Sequence, residues 1–439
     1  MQHHGLRRGT HFVVARGSLV TGCRIIIFCM TDESSLVLSF EDARHIVEEH
    51  AANLRPRGKE LVELAEGAGQ VLAEPIVADR NFPPFARAMR DGFAIQASDL
   101  SQLPATLEVV GEIKAGAKSG DIPTLKPGQA AAIMTGAPAP VGSDAVVMVE
   151  YTSRNARRVQ ITKSVATGDN IAPVASEAKR GERLLSPGAR LDFAAIAVAA
   201  SVGKSRLLVY SKPKVAILST GDEIVDIDVP PSATQIRNSN SYSLAAQVEA
   251  AGGEPVLLPI APDEPARLRE LIADGLESDL LLLAGGVSMG KYDLVEQVLA
   301  EFKAEFFFTG AKIQPGKPVV FGRVPSADVY FFGLPGNPIS TMVTFELFAR
   351  PVIDALAGMS PRKLTFLKAR LKSEIKTKTG LKRFLPAILS GEFENVEVEL
   401  AAWQGSGDIA SMAKADCYVV IPPDRERISA GELVAVMLR

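Results

Sequence analysis

With 439 residues, 47% of them hydrophobic and 23% charged, the chain is too long for one compact core and has ample apolar surface to bury, which excludes general disorder and predicts roughly two to four domains. Net charge is −3 and no long basic run occurs, so no nucleic-acid partner is expected and any anionic ligand must be held locally. No apolar stretch reaches the ~20 residues of a membrane span. The three cysteines, Cys23, Cys29 and Cys417, suit neither a zinc cluster nor a paired disulfide framework, which fits a reducing cytoplasm.

The opening "LRRGTHFVVARGSLVTGCRIIIFC" carries a twin arginine and apolar pieces, but Arg16 and Arg24 interrupt them. The longest, "IIIFCM", falls short of the ~7 to 15 residues of a signal core. Residues 1–35 read as a disordered extension, with Met30 as the natural start. All five histidines, His3, His4, His11, His45 and His50, lie in the first fifty residues, far from the loops singled out below, so neither a catalytic histidine nor a histidine-bound metal is expected.

"SFEDARHIVEEHAANL" has helical apolar spacing, with Ser39 as N-cap and Asp42 three positions on. From about 70 to 190 short β-rich pieces such as "ATLEVVGEI", "AAAIMT" and "DAVVMVE" alternate with Gly and Pro, with one helix at "DFAAIAVAASVG". Residues 36–212 thus form a β-rich N-terminal region. After Lys212 the pattern changes to fully apolar runs ("KVAILST", "DLLLLAGG", "DVYFFG") alternating with amphipathic helices ("NSYSLAAQVEAAGG", "EPARLRELIADGL", "DLVEQVLAEF", and one from about 339 to 356). Such strands are buried on both faces, so residues 213–358 form an α/β domain with a mostly parallel sheet. "MSPRK" breaks the chain, and 363–439 read as a small all-β module.

In an open parallel sheet ligands lie beyond the carboxyl ends of the strands. Three glycine-rich loops follow apolar strands there: "STGDE" (219–223), "AGGVSMGKYD" (284–293) and "GLPGNPIS" (333–340). Glycine lets the backbone approach a ligand and turn N–H groups towards it, and helix starts add positive dipole ends. Gly221, Gly285, Gly286, Ser288 and Gly336 are therefore expected to cradle an anion, walled by Pro335 and Pro338, with Asn337 hydrogen-bonding locally at the helix start. A Pro-Gly-Asn-Pro turn by itself also suits a plain connector, but the coincidence of three loops favours a pocket. Asp222, Glu223, Asp263 and Asp293 gather at the same edge. Acids lining an anion pocket make sense with a divalent cation between the like charges, and oxygen ligands favour Mg²⁺, with Glu223, Asp263 and Asp293 as its ligands. Lys317, after Gly316 in "QPGKP", is placed to neutralise an oxyanion. No G-x-x-x-x-G-K-[ST] and no strand-linked G-x-G-x-x-G occurs in these loops, which argues against a P-loop NTPase or a dinucleotide dehydrogenase.

The set "STGDE", "GGVSMGKYD", "PGKP" and "LPGNPIS", with "AMRDGFAI" (88–95) and "IMTGAPAPVGSDAVVMVE" (133–150) upstream, strongly resembles the molybdopterin molybdenumtransferase family, the MoeA proteins and the E domain of gephyrin. The resemblance covers residues 36–438 in the family's order. It implies insertion of molybdate into adenylylated molybdopterin with Mg²⁺-dependent release of AMP, a homodimer, a two-lobed N-terminal region, a molybdopterin-binding α/β domain and a C-terminal β-barrel. It further implies a molybdopterin-adenylylating enzyme and recipient molybdoenzymes as partners. By position it assigns active-site roles to Asp91, Thr135, Glu223, Asp263, Asp293 and Lys317, contacts to Pro335, Pro338 and Ser406, and, by a looser match, an acid role to Glu177, with Asp91 and Thr135 brought to the other subunit's pocket. The chain departs from the family at Phe93, usually tyrosine, and at Gln314 and Gly310, frequent lysine positions, although Lys312 lies close by. It also lacks one common arginine, although Arg383 is nearby. Fewer fixed charges should weaken oxyanion capture. Two alternatives remain: the preceding adenylylation of molybdopterin, and a scaffold or cofactor carrier without turnover.

Overall fold

Strands apolar at every position need cover on both faces, and the central sheet has it. In the computed structural model, which describes residues 36–286, 294–402 and 404–439, this sheet orders six strands as Glu254–Leu257, Lys214–Ser219, Leu280–Ala284, Val329–Leu334, Val320–Val324 and Glu305–Phe308. Alternate residues face opposite layers. Val215, Ile217, Leu280, Leu282 and Phe332 pack under helices Phe40–Asn53, Ser239–Ala251 and the segment from Pro338 onward. Ala216, Leu218, Leu281, Leu283 and Phe331 pack under Pro265–Gly275 and Leu294–Glu301. The expected helix starts and stops hold. Ser39 caps the first helix by accepting from the Asp42 amide at 3.1 Å, and Gly252 ends Ser239–Ala251 with φ +95°.

Four strands are parallel, whereas the last two pair antiparallel, so the sheet is mixed. The turn between Val320–Val324 and Val329–Leu334 is too short for a crossover and closes a hairpin instead.

Upstream, a six-stranded mixed sheet built around Gly92–Ile95, Gln129–Ile133 and Ala105–Ile113 has its own core. A second core joins Leu72, Ile76, Leu207 and Val209 to helix Phe193–Ser201, which makes the N-terminal region two-lobed. Downstream, strands Lys382–Ser390, Glu397–Leu400, Phe366–Leu371, Leu433–Leu438 and Cys417–Ile421 follow one another, and the last pairs back to the first, closing a barrel. The two-residue strand Ile313–Gln314 joins this barrel in parallel, setting Gln314 opposite Arg383. Among the described residues no helix is long and apolar enough to cross a membrane. The expectations for residues 1–35 lie outside the described residues.

The long helix expected from 339 to 356 runs from Pro338 to Leu356 with a π-turn at Phe345–Ala349. Pro351 lies one helical turn after Leu347 and has no N–H to give its carbonyl. The buried guanidinium of Arg44, on helix Phe40–Asn53, supplies the donor: Nη1 bonds to Leu347 O, Nη2 to Arg362 O at 3.2 Å, and Nε to Glu48 at 2.6 Å. The first helix is thereby bound to the central layers. Arg44→Met is expected to lower stability to urea by about 2 to 3 kcal/mol, because it strands a buried carbonyl. An unchanged midpoint would show that the carbonyl does not depend on this arginine.

Candidate active site

Ser219, Ala284 and Leu334 occupy one register level of the parallel sheet, so the three loops leave it side by side. The amide of Thr220 donates to Ala284 O and that of Gly285 to Leu334 O, each at 3.1 Å. Space between the loops is minimal. A methyl group on Gly285 (φ +95°) would lie 2.8 Å from Thr220 O, and one on Gly286 (φ +64°) 2.7 Å from Thr220 Oγ1. Only glycine combines this backbone with this approach. The third loop closes the group, since a side chain at Gly336 would sit 3.6 Å from Gly285 Cα.

The helix after the first loop locks the arrangement. Asn238 caps it, accepting from Ser241 N at 3.1 Å, and forms a buried network with Ser219 and Ser241. Two residues on, Asn240 donates to Gly336 O at 2.7 Å, tying the first loop's helix to the third loop. Asn240 escaped the sequence reading. The only signal was the polar run "NSNSYS" opening an amphipathic helix.

Three acids meet at the exposed end of this cleft. Asp222 Oδ1 accepts from the Asp263 amide at 3.1 Å, and the Glu223 carboxylate adjoins Gly221. Partial burial and the negative charges of Asp222 and Glu223 push the Asp263 carboxyl above the usual range. Among the described residues no group of three His, Cys, Asp or Glu side chains is arranged to hold a metal. Asp293 and Ser288, both expected at this site, lie outside the described residues. The negative charge that Asp222 and Glu223 set beside Asp263 is what a cation would offset, although these three carboxylates do not themselves converge as a ligand set.

On the other side of the third loop, Ile339 N donates to Ser406 O at 3.0 Å, so the C-terminal module reaches the Pro335–Pro338 turn. Asn337 begins the helix through its carbonyl, which accepts from Thr341 N at 3.0 Å, while its side chain makes no capping bond. The local bond expected from its amide is thus absent. Gly316 lies against Thr344 and Ser340, and the exposed side chain of Lys317 forms no ion pair among the described residues. Gln314 accepts from Arg383 Nε at 2.8 Å.

Asp91 and Thr135 meet in the N-terminal sheet. Asp91 Oδ1 accepts from Thr135 N at 2.6 Å and Thr135 Oγ1 at 2.8 Å, and these bonds hold its carboxyl below the usual range. Asp91 borders an open cavity of about 360 Å³ lined also by Phe93, Glu112, Met134 and Arg154. Glu177 pairs with Arg87 at 2.5 Å. Among the described residues no hydrogen bond or ion pair joins Asp91, Thr135 or Glu177 to the central loops.

Known proteins share this arrangement over nearly the whole described chain. Residues 38–203 match the MoeA N-terminal region (domain I and II), 216–355 the probable molybdopterin binding domain, and 368–438 the MoeA C-terminal region (domain IV). The chain is 36% identical over 389 residues to the molybdopterin molybdenumtransferase of Nostoc sp., covering 86% of this chain and 88% of that protein. It is 33% identical to that of Haemophilus influenzae, covering 87% and 94%. The crystal structure of the molybdopterin biosynthesis moeA protein from Pyrococcus horikoshii OT3 superposes with a TM-score of 0.72 at 28% identity, covering 92% of this chain and 100% of that one.

Because its folded-state carboxyl is raised, Asp263 holds its proton more tightly in the folded than in the unfolded chain. Its ionisation therefore removes stability as pH rises above the ordinary carboxylate range. Asp263→Asn is expected to raise the melting temperature of the ligand-free protein at pH 7, by a small amount because solvent screens the site. The gain should vanish below about pH 4. A lower melting temperature at pH 7 would contradict the proposed repulsion.

Proposed function

Since the chain belongs to the molybdopterin molybdenumtransferase family, we propose that it inserts molybdate into the dithiolene of adenylylated molybdopterin and releases AMP. The observation that carries this reading is the pocket's polarity. Backbone amides and carboxylates occupy one end, the Ser406 carbonyl meets the Ile339 amide just after the Pro335–Pro338 turn, and Lys317, unpaired among the described residues, follows Gly316, which lies against Ser340. In this reading the glycine loops bind the adenylate and its phosphates, with Asn240 holding Gly336 in place beneath them. Lys317 and Ser406 orient the oxyanion beside the pterin sulfurs. Glu223 and Asp263, joined by Asp293, would hold Mg²⁺, which when bound supplies charge stabilisation at the phosphates. Asp91, its carboxylate fixed by both donors of Thr135, acts on the pocket of a second subunit in a homodimer. A cytoplasmic setting fits, with the adenylylating enzyme supplying substrate and molybdoenzymes receiving product.

Purified protein given adenylylated molybdopterin, molybdate and Mg²⁺ is expected to release AMP and yield active cofactor without consuming ATP. Glu223→Gln should lower kcat by roughly hundredfold or more, as loss of a catalytic charge does. ATP consumption, or no AMP release despite binding, would overturn the reading. Mixing Asp91→Asn with Glu223→Gln protein and allowing subunits to exchange should restore activity that neither variant has, because each mixed dimer regains one complete site. No recovery in verified mixed dimers would place both residues in one subunit's site.

A further inference from the structure

The chain passes between the central layers and the N-terminal region twice at one place. Residues 54–58 lead from helix Phe40–Asn53 to strand Lys59–Glu63, and residues 211–213 return from strand Arg206–Tyr210 to the central strand Lys214–Ser219. The two connections run side by side, with the Ser211 amide donating to Gly58 O at 3.1 Å and Lys59 in register with Tyr210. A methyl group on Gly58 would lie 2.8 Å from Ser211 Oγ, so a side chain there would push the two apart. Beside them is a cavity of about 220 Å³, lined by both connections, the strand starts at Lys214 and Asp279, and Leu356. Lys214 opens the strand that ends at Ser219, and Asp279 precedes the one that ends at Ala284. The cavity is therefore at the opposite end of the sheet from the glycine rim, roughly 17 Å away along the strands.

Charge in this cavity is unbalanced. Arg57, Lys212 and Lys214 line it against a single carboxylate, Asp279. That carboxylate is already committed, since Oδ2 accepts from the Lys214 amide at 2.7 Å and Oδ1 pairs with Arg57 Nε at 3.1 Å. Arg57 Nη2 donates to Asp328 O at 3.3 Å, but the Asp328 carboxylate is taken by Arg323. Arg57 Nη1 bonds to no described residue. Lys212 and Lys214 are exposed and form no ion pair among the described residues, not even between Lys214 and its register partner Glu254. We infer that this cavity is an anion site separate from the glycine rim, taking a phosphate group, free or on a small ester. Two ammonium groups and an open guanidinium edge suit a dianion that offers several acceptor oxygens, which a halide does not. Its occupant ties residues 54–58 to residues 211–214 and so stiffens the junction between the N-terminal region and the central sheet. Binding here is independent of the reaction proposed above.

The test titrates full-length protein with inorganic phosphate, and separately with glycerol 3-phosphate, by calorimetry at fixed ionic strength. Lys212→Gln/Lys214→Gln protein should lose at least about tenfold in phosphate affinity, as removal of a charge-assisted hydrogen bond does. Lys317→Gln, which alters a cation outside this cavity, should leave that binding event unchanged. Phosphate should also slow amide hydrogen exchange in residues 54–58 and 211–214 of the wild-type protein, and not in the double variant. Glycerol 3-phosphate binding no tighter than phosphate assigns the site to the phosphate group alone, and tighter binding assigns it to a phosphorylated metabolite. No binding of either ligand, unchanged affinity in the double variant, or protection confined to the 220–223 and 333–340 loops overturns the inference.

Discussion

The structure depends on three parallel strands ending at one level. Because Ser219, Ala284 and Leu334 are laterally paired, the loops that follow are pressed together, and the contacts of Gly285 and Gly286 with Thr220 leave no room for a side chain. The bare backbone at the rim is a consequence of sheet register. Once side chains are excluded, amide groups and helix starts are what remain to meet a ligand, and their polarity favours an anion.

Charge is then distributed around that rim at a cost to the free protein. Asp222, Glu223 and Asp263 crowd one end, where partial burial and then the neighbouring charges raise the Asp263 carboxyl, while Arg383 lies buried and unpaired with any described carboxylate beside strand Ile313–Gln314. Each arrangement is unfavourable in the free protein. Stability given up at a site in this way is a common sign that the site is used. The scaffold that bears the strain is held elsewhere, by apolar layers on both sheet faces and by Arg44 bonding to Leu347 O.

Local chemistry was legible in the sequence. The Ser39 cap, the Gly252 stop, the apolar strands and the glycine loops each follow from the conformational limits of a few neighbouring residues. Long-range partnerships were not. Nothing near Pro351 says that a guanidinium some three hundred residues earlier in the chain satisfies the carbonyl it leaves open. Nothing near Gln314 says that Arg383 will be bonded to it. Asn240 looked like any polar residue at a helix start until the third loop came within its reach. Asn337 shows the converse: a residue with strong local preferences that starts the helix through its carbonyl while its side chain makes no capping bond. The mostly parallel central sheet was legible, but which edge runs antiparallel was not, because periodicity reports burial and not strand direction.

The central claim is that the glycine rim and the adjoining acids form one nucleotide-phosphate site. A crystal structure with AMP and Mg²⁺ tests it most directly. The account predicts the phosphate over the amides of the 220–221, 285–286 and 336–337 loops, with the cation between it and Glu223 or Asp263. Nucleotide density at another surface, with these loops bare and the carboxylates directed to solvent, would contradict it.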